Sequence, residues 1–143
     1  MKLIKLFDKI KELAGHEGRE LAFVSKGEGY WGNARIRDLD NLAELEVLYL
    51  GTENEMGYDS VKIYIEDEEV EHMKELKRGK LKTIKDLLEY EKEFWDELTD
   101  IEVHDGLKVL RNCNLETIKE FYDTEFKCWS FDDLENILSI ELF

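Results

Sequence analysis

At Asp67 the spacing of the apolar residues changes, and with it the kind of element the chain can form. From Tyr58 to Glu66 the pattern alternates: Val61, Ile63 and Ile65 fall on one face, Lys62, Tyr64 and Glu66 on the other, as in a strand with one buried side. Beyond Asp67, Val70, Met73 and Leu76 recur at helical spacing. Strand periodicity followed by helical periodicity predicts an α+β fold.

Upstream of that switch, Leu3, Ile4, Leu6, Phe7, Ile10 and Leu13 are interleaved with Lys2, Lys5, Lys9 and Lys11. This predicts an amphipathic helix closing at Gly15, a residue suited to the C′ position. The interleaved lysines are unlike the unbroken apolar core of a secretory signal, and no apolar stretch has bilayer-spanning length. Glu20 to Lys26, Tyr30 to Arg37 and Glu44 to Gly51 also have strand character, with short, turn-rich connectors between them. Residues 1–66 are therefore expected to form a helix plus an antiparallel meander of about four strands.

Residues 67–143 are expected to be a mainly helical subregion of one single α+β domain. The segment from Asp67 to Arg78 begins acidic, ends basic and is followed by Gly79, the charge order a helix dipole favours. Thr83 with Asp86, Thr117 with Glu120, and Ser130 with Asp133 each have capping-box spacing and predict three further helix starts. The first of these helices should run to about Leu98. Between it and the next, Ile101 to Val109 alternates around Asp105-Gly106, which predicts a small hairpin, with a short helix from Asp105 as the alternative. Leu81, Thr83, Ile84, Lys85, Glu91 and Trp95 recur 34 residues later as Leu115, Thr117, Ile118, Lys119, Glu125 and Trp129, read as a duplicated helical element or as a coincidence of capping and amphipathic patterns.

Charged residues make up 38% of the chain and hydrophobic residues 43%, so the charge is expected on the surface of a folded core. The formal net charge is −15. Residues 1–40 carry eight Lys/Arg against seven Asp/Glu, and residues 41–143 twelve against twenty-eight. Such a balance argues against direct nucleic-acid binding and for a basic partner. Cys113 and Cys128 are too few for a disulfide framework, and a reducing cytoplasm is the expected compartment.

Catalytic signatures are weak. Gly27, Gly29 and Gly32 match a dinucleotide-loop spacing, but no helical pattern follows them and Glu28 would repel a pyrophosphate, so a hairpin turn is expected. His16, His72 and His104 have no second ligand at metal-binding spacing, so no metal and no cofactor are expected. No catalytic residue is assigned. A small enzyme centred on His104 or Cys113 is one alternative, and a scaffold that self-associates through the duplicated helices is another.

The reading favoured by the sequence is a non-enzymatic, acidic protein-binding domain. Its partner would be a basic protein, of the nuclease or nucleic-acid-binding kind, whose phosphate-holding surface it blocks as anti-restriction, anti-CRISPR and nuclease-immunity proteins do. On the helix expected from Ile84 to Leu98, Asp86, Glu89, Glu93, Asp96, Glu97 and Asp100 line the face opposite Ile84, Leu87, Leu88, Phe94, Trp95 and Leu98. Six carboxylates over about 21 Å of helix approach the linear charge density of one nucleic-acid strand. Glu68 and Glu69, in the acidic run at 66–71, complete the expected partner-binding set.

Overall fold

The computed structural model describes all residues except 16–19, 28, 56–57, 94–99 and 133–135. The chain divides into two compact units, Met1–Lys77 and Arg78–Phe143.

In the first unit, a 3-10 turn (Leu3–Leu6) leads into α1 (Phe7–Ala14), which ends at Gly15 with φ +86°. Four strands follow: β1 (Glu20–Ser25), β2 (Gly29–Arg35), β3 (Tyr49–Glu55) and β4 (Tyr58–Ile65). Three of the four predicted strands lie close to their expected places, but the third is displaced: Tyr49–Glu55 replaces the expected Glu44–Gly51 and takes in part of the segment expected as a connector, and the four do not form an antiparallel meander. Their order is β2-β1-β4-β3, and the central pair β1 and β4 is parallel. The reason lies in the segment between the hairpins. Ile36–Leu42 is a 3-10 crossover, not the end of a strand, and it carries the chain from one sheet edge to the other. Its Ile36, Leu39 and Leu42, with Leu45 and Val47 beyond, share one buried cluster with Leu21, Phe23, Val61 and Ile63. Leu3 and Ile10 from the N-terminal helical segment join the same cluster. α2 (Glu69–Arg78) follows β4 as expected, buries Val70 and Met73, and stops at Gly79 with φ +56°.

The second unit corrects the expectation of a mostly helical C-terminal half. It holds α3 (Ile84–Tyr90) and four strands: β5 (Asp100–Asp105), β6 (Lys108–Cys113), β7 (Phe126–Asp132) and β8 (Ile137–Leu142). These form a second mixed sheet, of order β6-β5-β8-β7, with β5 and β8 parallel. The β5–β6 hairpin is the predicted one, turning at Gly106 with φ +62°. The Thr83–Asp86 capping box is also present.

The helix predicted from Thr117 is only a five-residue 3-10 turn, Thr117–Phe121. Asn114 caps that turn: its side-chain oxygen accepts from the N–H groups of Glu116 and Thr117. The helix predicted from Ser130 does not start there, because Ser130 lies inside β7; Asp133, the other half of its capping pattern, lies outside the described residues. A register shift between Phe126 and Cys128 places Cys128 and Trp129 side by side as buried residues, which erases the alternation expected of a strand.

The two units repeat one arrangement, and the agreement extends to single hydrogen bonds. In the first unit Leu3 N–H donates to Leu45 O (2.9 Å), Ile4 N–H to Ala43 O (3.1 Å) and Val47 N–H to Met1 O (2.8 Å). In the second, Ile84 N–H donates to Thr124 O (3.0 Å), Lys85 N–H to Tyr122 O (3.1 Å) and Phe126 N–H to Lys82 O (3.3 Å). Strand pairing matches as well. Phe23 lies beside Ile63, which lies beside Leu50; Val103, Ile140 and Trp129 take the same places in the other sheet. The structural period is thus roughly eighty residues and does not coincide with the 34-residue resemblance in the sequence. That resemblance aligns α3 with a 3-10 turn and with Trp129 of β7, while Trp95 lies outside the described residues.

Candidate interaction surface

The proposed acidic helix face is not assembled as one stripe. α3 ends at Tyr90, where Glu91 turns inward and its carboxylate accepts from the Trp129 indole N–H at 2.9 Å. Asp96 and Glu97 lie outside the described residues. Asp100 opens β5, half-buried, and accepts from Ile101 N–H at 2.8 Å. Asp86 is committed to its own helix: its carboxylate accepts from Thr83 N–H and Lys82 N–H, both at 3.1 Å. Those bonds, led by the one from Thr83, hold its pKa below the ordinary aspartate value. Glu89 and Glu93 remain exposed. In the first unit Glu68 is exposed in the turn before α2, whereas Glu69 meets His72 at 3.1 Å.

The cap makes a prediction about acid. Because the folded-state pKa of Asp86 is depressed, its contribution is present above the usual carboxylate range and is lost as pH falls through the lower folded value. Asp86→Ala is expected to lower the thermal midpoint at neutral pH, with the gap to the parent closing in strong acid. Thr83→Ala, which removes the reciprocal acceptor, should cost about 1 kcal/mol. A gap that stays constant with pH would show that the carboxylate is not acting as a cap.

Charge divides differently from the way the first forty residues suggested. Residues 1–77 hold eleven Lys/Arg against eighteen Asp/Glu, and residues 78–143 nine against seventeen, so both units are comparably acidic. The excess is a property of each copy, not of one half of the chain.

What distinguishes the copies is the sheet face turned away from the core. In the second unit this face is mainly charged, with exposed Val109 beside His104. Glu102 meets His104 at 3.2 Å and Arg111 at 3.9 Å, and Glu141 meets Lys127 at 4.0 Å. In the first unit the corresponding face carries an apolar and aromatic row, with Lys62 beside Ala22 farther along the same face. Val24, Tyr64 and Tyr49 form one row across three strands, at the positions that His104, Glu141 and Cys128 occupy in the second. The Tyr49 and Tyr64 rings stack at 4.4 Å with 17° between their planes. Gly51 permits this, since a Cβ there would sit 3.0 Å from Tyr64 Cε2. Tyr49 is 55% exposed and Leu48 37%. Together with Lys26 and Glu66 they line a cleft of about 500 Å³, within the usual range for binding pockets.

The glycine loop beside this cleft also has an assigned role. Gly27 N–H donates to Asp67 Oδ1 at 2.7 Å, and a Cβ at Gly27 would lie 2.2 Å from Asp67 Oδ2. The anion at this loop is supplied by the chain itself, and Gly29 and Gly32 belong to strand β2 paired with β1, as the hairpin reading expects.

The two candidates for an enzymatic centre are not brought together. His104 lies on the outer face of β5, whereas Cys113 is buried in the core opposite Ile101. Burial raises the Cys113 pKa, with the charge of Asp100 adding to the effect, which keeps it a thiol and a poor nucleophile. Among the described residues no group of three or more His, Cys, Asp or Glu is placed to hold a metal, and no helix is long and apolar enough to cross a membrane.

Fold and surface together define an acidic α+β protein built from two similar units with chemically different outer sheet faces. Comparison with family models, curated proteins and solved structures finds no match.

Proposed function

We propose that this protein is a non-enzymatic binding domain whose acidic surface engages a basic, nucleic-acid-binding surface of a partner protein and competes with nucleic acid there. The observation that supports this most is the presence of a net negative charge in both units, with exposed carboxylates at Glu66, Asp67 and Glu68 in one and at Glu89 and Glu93 in the other. Each unit would present carboxylates to Lys and Arg side chains that otherwise hold phosphates. Complementary potentials of this kind speed encounter and exclude a like-charged competitor.

The test is capture of partners on the immobilised full chain at low and at high salt, followed by competition with duplex DNA. A basic partner should be retained at low salt and released by either DNA or salt. Replacing Glu68, Glu89 and Glu93 together by lysine should weaken the captured complex at least tenfold and flatten its salt dependence. Retention that is indifferent to salt, to DNA and to these reversals would overturn the proposal.

A further inference from the structure

We infer that the Tyr49–Tyr64 cleft of the first unit is the anchoring pocket for an arginine-bearing segment of that basic partner. The inference rests on the proposed function and gives it a location. Three observations favour it.

The first is shape and chemistry. The stacked tyrosines leave Tyr49 more than half exposed beside Leu48 and Val24, in a cleft of about 500 Å³. A planar guanidinium stacks on an aromatic face while its methylene stem covers apolar surface, so one arginine uses both features of the cleft.

The second is charge. Glu66 lines the cleft, and Asp67 and Glu68 continue the acidic run from its rim. A guanidinium over Tyr49 would have a carboxylate partner at Glu66, and Lys26 on the same lining offers a donor to a backbone carbonyl of the incoming segment. An acidic segment would meet the run of carboxylates with like charge.

The third is the comparison inside the molecule. The same fold positions in the second unit carry His104 and Glu141, on a face whose charged side chains pair among themselves. The backbone of this fold therefore does not require aromatic residues on the outer sheet face. Val24, Tyr49 and Tyr64 place a stacked aromatic pair on the outer face where the second unit has His104, Glu141 and Cys128, as expected of a surface completed by a partner.

Nuclear magnetic resonance titration of the full chain tests the assignment with a defined probe, a blocked arginine-rich hexapeptide, against a lysine-rich peptide of equal charge. The expected result is saturable shifts at Val24, Leu48, Tyr49, Tyr64 and Glu66, larger for the arginine peptide. Tyr49→Ala should weaken binding by about threefold or more, the scale of one exposed cation–π contact, while Tyr49→Phe keeps it and Glu66→Lys abolishes the response at low salt. Equal, unsaturated shifts at the carboxylates of both units would overturn the cleft as anchor yet leave a diffuse acidic binding surface intact. Loss of salt- and DNA-sensitive capture would instead remove the parent proposal, so the two failures are separable.

Discussion

Replacing Trp129 by alanine is expected to destabilise the second unit by about 3–5 kcal/mol, the range for truncating a large buried aromatic. Its ring is 4% exposed and meets Tyr90 and Phe126 edge-on, at centroid distances of 5.8 and 5.9 Å. Its indole N–H also donates to Glu91, which is itself 2% exposed. The alanine variant thus opens a cavity and removes a donor from a buried carboxylate. Trp129→Phe separates the two effects. It keeps most of the packing and should cost about 1–3 kcal/mol for the lost donor. Denaturant unfolding of the full chain, with hydrogen exchange at the β5–β8 amides, measures both. A change below about 1 kcal/mol in the alanine variant would contradict the packing described.

Phe23→Ala should produce a loss of similar size, about 3–5 kcal/mol, in the first unit. Phe23 is fully buried on β1, opposite Gly32 on one side and beside Ile63 on the other. The control is its neighbour: Val24 points to the outer face, and Val24→Ala should cost less than about 1 kcal/mol. Because strand residues alternate between faces, a register error of one position would reverse the ranking. The pair therefore tests the register and the core together. Equal effects at the two positions would refute both.

Local chemistry was well recorded in the sequence. Gly15 and Gly79 ended their helices where expected, Thr83 and Asp86 formed their cap, and the Asp105-Gly106 pair marked its hairpin. What the sequence left open was the order in which hairpins meet. An alternating segment states which residues face inward, but the β3–β4 hairpin satisfies that pattern either with β3 beside β2, as in a meander, or with β4 beside β1. The choice is made by the crossover at Ile36–Leu42, whose apolar residues must be buried under the sheet. In the second unit, Leu138, Ile140 and Leu142 alternate, and this signal could have identified β8. Competing capping patterns at Ser130 and the irregularity at Cys128 obscured its partner. Of the expected acidic stripe, the short α3 leaves Glu89 and Glu93 exposed, and nothing in helical periodicity announced that Glu91 would turn inward to Trp129. The tyrosine row was hidden for a different reason: Tyr49 and Tyr64 are fifteen residues apart, and only strand pairing makes them neighbours.

The repetition of one strand order also bears on how such a chain avoids folding incorrectly. Two units with the same backbone pairing offer each other's strands as alternative partners during refolding, the situation in which tandem proteins misassemble. Here the matched positions differ in volume: Phe23 and Leu50 flank Ile63, whereas Val103 and Trp129 flank Ile140. A hybrid sheet that paired Phe23 with the Trp129 hairpin would be overfilled, and one that paired Val103 with the Leu50 hairpin would hold a void. Either error costs energy that the correct pairing does not. The division of large and small residues between the two cores would thus penalise mixed pairing and favour each hairpin with its own partner.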